Sequence, residues 1–148
     1  MKKTGIRISL PRFICMVLIV AMALCMGACG SVATTAAPVE LTTIEEGGVY
    51  GEGSKEFTLV VADEDGKEVT ATVKTDETMV GIALQKLGLL AGEMHSYGLY
   101  VETVNNITLE YGKGTHYWAF YIDGEYAMTG VDTTEITEGE TYQLVYTK

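Results

Sequence analysis

Cysteine and arginine are scarce, and both are confined to the beginning of the chain. The three cysteines are Cys15, Cys25 and Cys29, and the arginines are Arg7 and Arg12. A domain formed by the residues after position 29 therefore has no thiol, which excludes disulfides, thiolate metal sites and cysteine nucleophiles from it. Such a domain must be held together without covalent cross-links.

Positive charge is also scarce after residue 28. All 20 acidic residues lie there but only six of the ten cationic residues do, so this part has a net charge of 6 − 20 = −14. A surface of that sign repels phosphate backbones and anionic lipid headgroups. We therefore expect no nucleic-acid partner and no direct docking of the domain on an anionic membrane.

Catalytic motifs are lacking as well. The serines from residue 54 onwards are Ser54 and Ser96, and neither stands in a GxSxG motif. His95 and His116 are isolated in sequence, and a zinc site would need both of them and a carboxylate such as Glu93. No GxxxxGK[ST] or GxGxxG phosphate-binding loop occurs. The sequence predicts a non-enzymatic protein with no resident cofactor and no metal site.

The first 28 residues have the layout of an export signal. Residues 1–12 carry four cations and no acid, and residues 13–26 are almost wholly apolar. This apolar run is shorter than the roughly 20 residues of a membrane-spanning helix, which is the alternative interpretation. The run ends at Met26-Gly27-Ala28-Cys29, which resembles the bacterial lipobox, with Met26 where Leu is usual. We expect cleavage after Ala28 and lipidation of Cys29, which anchors the protein to the outer face of the cytoplasmic membrane.

Residues 29–54 are predicted to be a flexible tether. They are rich in Ala, Thr, Glu and Gly, they show no apolar periodicity, and Tyr50 is their one aromatic residue. A flexible coil of this length places the domain on the order of 25 Å from the lipid. The remaining residues, 55–148, are predicted to form one folded domain.

The folded part is predicted to begin with a β-hairpin and a helix. Glu56–Ala62 and Glu68–Lys74 are β-rich segments, and Asp63-Glu64-Asp65-Gly66 supplies the turn between them. Carboxylates also bind calcium, but a calcium site needs six or more oxygens, so we favour a turn. Thr75-Asp76-Glu77 then predicts a helix N-terminus, followed by apolar residues at helical spacing up to Gly88 or Gly92.

Strands are predicted for most of the remaining sequence, with a loop over 92–100 that carries Tyr97 and Tyr100. The strands are Gly98–Val104, Thr108–Tyr111, Tyr117–Ile122, Glu125–Met128 and Thr141–Tyr146. Asp123-Gly124 is suited to a two-residue turn, which puts Tyr121 opposite Tyr126 and Ala119 opposite Met128.

Strand periodicity assigns the side chains of this hairpin to two faces. The face predicted to pack on the helix contains Trp118, Phe120, Ile122 and Ala127. The outward face contains Tyr117, Ala119, Tyr121, Tyr126 and Met128. Tyrosines suit a flat, partly polar ligand or a protein partner, although they are also common on exposed sheet faces because of their β-propensity.

Several motifs in fixed order carry a resemblance to a known family. They are Tyr100–Asn106 (YVETVNN), Tyr117–Tyr126 (YWAFYIDGEY), Gly130-Val131-Asp132 and Glu138–Tyr142 (EGETY). Their order and spacing resemble the small C-terminal β-domain of the transcobalamin and intrinsic factor family. They are more similar still to the related bacterial domain DUF4430 of Gram-positive cell-surface proteins. The resemblance covers residues 55–148.

The resemblance implies an α+β, β-grasp-like single domain with one helix packed on a mixed β-sheet. In the cobalamin carriers this domain closes over the corrinoid, opposite a larger helical barrel for which residues 55–148 have no room. It implies Tyr117, Trp118, Tyr126 and Met128 as ligand-binding candidates, and the outward face adds Tyr121. Cobalamin is therefore an expected ligand and not a cofactor.

Two functions stay open at this point. The first is a membrane-anchored extracytoplasmic module that captures a small solute, such as a corrinoid, for a transporter or partner subunit. The second is a non-enzymatic cell-surface module whose aromatic face binds a protein or wall polymer and has no small ligand.

Overall fold

The computed structural model of the protein describes residues 40–110 and 112–148. The predicted signal peptide, the lipidation site Cys29 and the first part of the predicted tether lie outside the described residues. So does Tyr111, the last residue of the predicted strand Thr108–Tyr111.

The described residues form nine strands and one helix. The strands, in chain order, are β1 (Gly48–Tyr50), β2 (Lys55–Ala62), β3 (Glu68–Thr75), β4 (Leu90–His95), β5 (Gly98–Val104), β6 (Ile107–Thr108), β7 (Tyr117–Ile122), β8 (Glu125–Tyr126) and β9 (Thr141–Thr147). The helix α1 (Val80–Lys86) lies between β3 and β4.

The strands form two sheets. The larger has the order β1-β3-β2-β9-β7-β8, and it is mixed because β1 runs parallel to β3 and β2 parallel to β9. The smaller is antiparallel, with the order β4-β5-β6. The predicted α+β single domain, with one helix and a mixed sheet, is confirmed, and its content is mostly β.

The first hairpin forms as predicted. β2 and β3 pair along their whole length, with Phe57 opposite Val73 and Leu59 opposite Ala71. In the turn between them, Asp63 Oδ1 accepts the backbone N–H groups of Asp65 at 3.0 Å and Lys67 at 2.9 Å. This carboxylate therefore closes the turn with backbone donors.

Helix α1 begins later than Thr75-Asp76-Glu77 predicts. Thr75 is still paired in β3, and the N-cap is Met79, which makes no side-chain cap hydrogen bond. Asp76 instead accepts the backbone N–H and the hydroxyl of Ser54, each at 2.8 Å. These hydrogen bonds from Ser54 lower the pKa of Asp76. The predicted end is right, because the chain leaves the helix at Gly88 with a positive φ of 68°.

The folded part also begins earlier than predicted. Ile44 is 3 % exposed, and its N–H donates to Asn105 Oδ1 at 2.8 Å. Thr42 N–H donates to the Gly88 carbonyl at 2.8 Å, and β1 (Gly48–Tyr50) extends the sheet beside β3. The tether prediction is therefore wrong for residues 42–50, which we call the strap. The strap contains one buried isoleucine and a strand of three residues. These are too few to show a periodic pattern in the sequence.

The predicted strand Gly98–Val104 is confirmed as β5, whereas the predicted loop over 92–100 is wrong for residues 92–95. Residues Leu90–His95 form β4, which pairs with β5 in a hairpin whose register shifts between Ala91 and Gly92. An irregular strand of this kind breaks the alternation of apolar and polar residues, so the sequence carries no strand pattern here.

Tyr142 lies at the centre of the core and is fully buried. The Phe57 ring meets it edge-on with centroids 5.1 Å apart, and Phe120 stacks at 6.1 Å. The Tyr142 hydroxyl accepts the Thr137 N–H at 2.9 Å and donates to Glu140 Oε2 at 2.6 Å. Burial and then the hydrogen bond to Glu140 raise the pKa of Tyr142 to about 12.

Candidate ligand-binding cleft

The β7–β8 hairpin has the predicted turn. Asp123 and Gly124 both have positive φ, 49° and 81°, and Tyr121 lies opposite Tyr126. Asp123 Oδ1 accepts the Thr141 N–H at 2.9 Å, which fixes the turn to the start of β9. The geometry is the one that an Asp-Gly pair favours.

The two predicted faces of this hairpin are mostly as expected. Trp118 and Phe120 are buried, whereas Tyr117, Tyr126 and Met128 are 39 %, 56 % and 94 % exposed. Ala119 is the exception, because it is 1 % exposed although it was predicted to look outward. Its side chain is small, and larger residues flank it on the same face: Tyr117 and Tyr121 along β7, and Val145 opposite it on β9. Ala119 is not opposite Met128 in the ladder, since β8 ends at Tyr126.

A cleft of about 220 Å³ lies among β5, β7, β9 and the segment that follows β8. Most of its wall is aromatic or aliphatic. Its lining residues are Leu99, Tyr100, Val101, Tyr117, Trp118, Phe120, Tyr126, Ala127, Thr129, Gly130, Val131 and Leu144. We call this site the aromatic cleft.

Three of the five predicted ligand-binding residues line the aromatic cleft, namely Tyr117, Trp118 and Tyr126. Met128 and Tyr126 line a neighbouring shallow depression of about 410 Å³ beside the Asp123–Gly124 turn. Tyr121 lines neither, but its ring meets that of Tyr126 edge-on at 5.4 Å. Whether these residues bind a ligand stays a prediction.

The sequence did not reveal that β5 contributes to the site. Leu99, Tyr100 and Val101 reach the cleft because β5 lies against β7 in space, which no local pattern encodes. Gly130 and Val131 were recognisable, because they belong to one of the motifs that carry the family resemblance. Because both residues line the cleft, this motif helps to form the candidate site.

Trp118 connects the cleft to a second group of aromatic rings. Its indole N–H donates to the Glu102 carbonyl at 3.4 Å, and its ring meets that of Tyr146 edge-on at 6.1 Å. Tyr146 in turn shares a hydrogen bond of 3.1 Å with His116 Nδ1, and the Lys148 ammonium lies 5.8 Å from the centre of its ring. The Trp118 side chain is thus held in one orientation by contacts behind the cleft.

The loop at the other side of the cleft is held by the start of helix α1. Gly81 N–H donates to the Val131 carbonyl at 2.7 Å, and Val80 N–H donates to the Thr134 carbonyl at 3.0 Å. Thr134 Oγ1 donates to the Gly130 carbonyl at 2.8 Å. The bonds from Gly81 and Val80 use N–H donors that every helix leaves unpaired at its N-terminus, and together the three bonds connect this loop to α1.

Neither a membrane span nor a metal cluster occurs in the part of the chain that the structure describes. No helix within 40–110 or 112–148 is long and apolar enough to cross a bilayer. Over the same ranges, no three His, Cys, Asp or Glu side chains are grouped as ligands for a metal ion.

Two solved structures resemble the fold of this chain. The chain resembles a protein from Ruminococcus gnavus ATCC 29149 named "putative metal binding protein", with a TM-score of 0.60 and 28 % identity over 64 % of this chain and 98 % of that one. It also resembles haptocorrin in complex with Cbi, with a TM-score of 0.50 and 17 % identity over 67 % of this chain. The match spans only 26 % of the haptocorrin chain and the identity is low, so this similarity shows a shared fold and does not show a shared function.

The family follows from the sequence. Residues 76–148 match the model of the family described as "Domain of unknown function (DUF4430)". This part of the chain, which contains α1 and every cleft residue, matches DUF4430, and the resemblance inferred from the motifs is confirmed over these residues. No curated protein matches the chain.

Proposed function

We propose that the protein is a membrane-anchored, extracytoplasmic and non-enzymatic binding module that captures a small, flat and partly apolar solute. The observation that carries the proposal is the aromatic cleft, which brings Tyr100, Tyr117, Trp118 and Tyr126 to one concave surface. Aromatic rings offer a broad apolar face, and tyrosine adds a hydroxyl that fixes orientation. Haptocorrin, which shares the fold, is a protein whose structure was solved with Cbi bound, and this supports a corrinoid as one solute to test.

The size of the cleft supports partial enclosure of the ligand. Its volume of about 220 Å³ is below the roughly 300–1,000 Å³ of pockets that bury drug-sized molecules. A corrinoid would insert one edge and stay exposed on its other side. Binding of this kind is weak in isolation and suits transfer of the solute to a transporter or partner subunit.

The strap sets how far the domain stands from the proposed lipid anchor on Cys29. Because the strap begins at Thr42, only residues 30–41 connect it to Cys29. Even fully extended, twelve residues span no more than about 40 Å. The domain is therefore held close to the membrane surface, where a transporter would receive the solute.

Titration with a corrinoid tests the proposal directly. The chain has a single tryptophan, Trp118, and this residue lines the cleft, so its fluorescence reports occupancy. We expect cobinamide to change the Trp118 emission with saturation, and Tyr117→Ala to weaken binding at least about fivefold. Val49→Ala is the control, since Val49 is exposed on β1 and outside the cleft lining. A lack of saturable binding for corrinoids and for other flat solutes would contradict solute capture.

A second function is favoured by exposed apolar side chains on two hairpins. Met94 and Tyr97 of the β4–β5 hairpin are 67 % and 65 % exposed, and Met128 after β8 is 94 % exposed. Apolar groups of this size on a surface often contact a protein partner. A photo-cross-linker at position 128 in living cells would then yield one discrete protein adduct, whereas one at position 49 would not.

A further inference from the structure

The surroundings of the aromatic cleft are strongly negative. From the start of β4 to the residue before β9, residues 90–140, the sequence has nine acidic residues and one lysine, a net charge of 1 − 9 = −8. That lysine, Lys113, is already paired with Glu110. This segment provides every lining residue of the cleft except Leu144, so the part of the chain that builds the cleft has a negative net charge, although the Lys148 ammonium lies beside Tyr146 behind Trp118.

The lining itself carries no charged side chain, but a carboxylate lies beside it. Asp132 follows Val131, and a Cβ atom built on the lining residue Gly130 would lie 2.4 Å from Asp132 Oδ1. On its other side, a Cβ atom built on Gly98 would lie 3.1 Å from Asp132 Oδ2. Within residues 40–110 and 112–148, no lysine forms an ion pair with Asp132. The two glycines thus give the carboxylate room directly behind the wall of the cleft.

Aromatic faces together with an unpaired carboxylate are the chemistry that recognises an organic cation. A cation is attracted by the electron-rich face of Trp or Tyr, and quaternary ammonium ligands are bound in this way. The Lys148 ammonium, 5.8 Å from the centre of the Tyr146 ring, already makes such a contact in the aromatic group behind Trp118. An anionic ligand would meet repulsion from Asp132 and from the acidic segment around it.

We propose that the aromatic cleft selects organic cations, with a quaternary or protonated amine held between Tyr117, Trp118 and Tyr126, and with the Asp132 carboxylate contributing its negative charge from behind the wall at Gly130. This inference rests on the proposed capture of a small solute and specifies the charge of that solute. The volume of about 220 Å³ suits such a headgroup, or a cationic edge of a larger molecule.

A matched pair of probes tests the selectivity. Choline and its neutral carbon isostere, 3,3-dimethylbutan-1-ol, have nearly the same shape and differ in charge. We would titrate each into the full-length chain in detergent micelles and follow Trp118 fluorescence. We expect choline to bind about tenfold more tightly than the alcohol, as several cation–π contacts together provide. Its affinity should fall as salt is added, because salt screens the surrounding acids.

Three variants assign the effect to residues. Asp132→Asn should weaken choline about three- to tenfold and leave the alcohol unchanged, whereas Glu64→Gln removes the same charge from the β2–β3 turn and should leave both unchanged. Tyr126→Ala removes one ring of the proposed site and should weaken choline at least about fivefold. Circular dichroism of each variant checks that the fold is retained.

The outcomes separate this inference from the function on which it rests. Equal affinity for choline and the alcohol would overturn cation selectivity and leave solute capture in place. Saturable binding of cobinamide with no binding of choline up to about 10 mM would also overturn cation selectivity and leave solute capture in place. If none of the three probes changes the Trp118 emission, both the cation inference and solute capture by this cleft are wrong.

Discussion

The rings of Tyr121 and Tyr126 meet edge to face directly across the Asp123–Gly124 turn, with centroids 5.4 Å apart and planes at 88°. Edge-to-face pairs of this geometry are favourable, and this one places the half-exposed Tyr126 ring where it borders both concave surfaces of the hairpin. Tyr121, which lines neither surface, holds Tyr126 in position. The Asp123–Gly124 turn brings the two rings together, and their contact therefore influences the shape of the candidate site.

Tyr126→Ala is expected to weaken ligand binding without unfolding the domain. Tyr126 is 56 % exposed and lies on the edge strand β8, so its loss removes one cross-strand contact worth about 0.5–1 kcal/mol. Urea denaturation should therefore show a small decrease in the free energy of unfolding, while the fluorescence titration shows at least about a fivefold loss of affinity. A large loss of stability that matches the loss of binding would show that Tyr126 belongs to the core.

Ile44→Ala should destabilise the domain by about 2–4 kcal/mol, because Ile44 is 3 % exposed and packs in the core. Val49→Ala is the matched control in the same strap. Val49 is 62 % exposed, so its truncation should change the free energy of unfolding by no more than about 0.5 kcal/mol. Equal and small effects for both variants would mean that the strap is a loose tether after all.

The β7–β8 hairpin and the strap show what the sequence could and could not predict. The β7–β8 hairpin was predictable because alternation of side chains and an Asp-Gly turn are local signals, and its register follows from them. The strap was not predictable, because Ile44 is buried through contacts with residues far along the chain, such as Asn105, and not through any repeat around it. Local patterns identify elements, whereas tertiary contacts decide which irregular segments join the core.

The same distinction explains the candidate site. Tyr117, Trp118 and Tyr126 were predicted because they lie in one aromatic run and its turn, although the run alone did not show which ones share a concave surface. Tyr100 lies in β5, which is the predicted strand Gly98–Val104, but the sequence did not show that this strand borders the site. Its place in the cleft depends on how the small sheet packs against β7. The prediction that Ala119 looks outward was wrong. Strand periodicity shows on which face of the sheet a side chain lies, but it does not show whether larger neighbouring side chains cover it.

Gly88→Ala should be much more damaging than Gly66→Ala, although both glycines have positive φ, 68° and 76°. A Cβ atom on Gly66 would meet nothing within 4 Å, so this variant should show only the backbone cost, about 1–2 kcal/mol. A Cβ atom on Gly88 would lie 2.3 Å from the Glu40 carbonyl, which must move and disturb the strap. We expect an additional loss of at least about 1 kcal/mol in the free energy of unfolding for Gly88→Ala. Equal effects would show that the strap does not pack against the end of α1.

Tyr142→Phe should lower the free energy of unfolding by about 1–3 kcal/mol at neutral pH. The ring remains to fill the core, but the Thr137 N–H loses its acceptor and the Glu140 carboxylate loses its donor. Urea denaturation against the original chain measures this difference. Phe120→Tyr is not a suitable control because it adds a hydroxyl to the core. Tyr117→Phe is the control instead, because it removes a hydroxyl from an exposed ring. We expect it to have little effect on the free energy of unfolding.

The pH dependence of the same pair of proteins tests the buried hydroxyl separately. In the folded chain the pKa of Tyr142 is raised to about 12, from 10.0 when unfolded, so folding favours the protonated phenol. The resulting stabilisation is fully present below pH 10 and is lost as the pH rises from about 10 to 12, because the unfolded chain releases this proton first. The difference in unfolding free energy between the original chain and Tyr142→Phe should therefore shrink across that interval. A difference that stays constant up to pH 12 would mean that Tyr142 ionises equally easily in both states, which is incompatible with a hydroxyl held between Thr137 and Glu140 in the core.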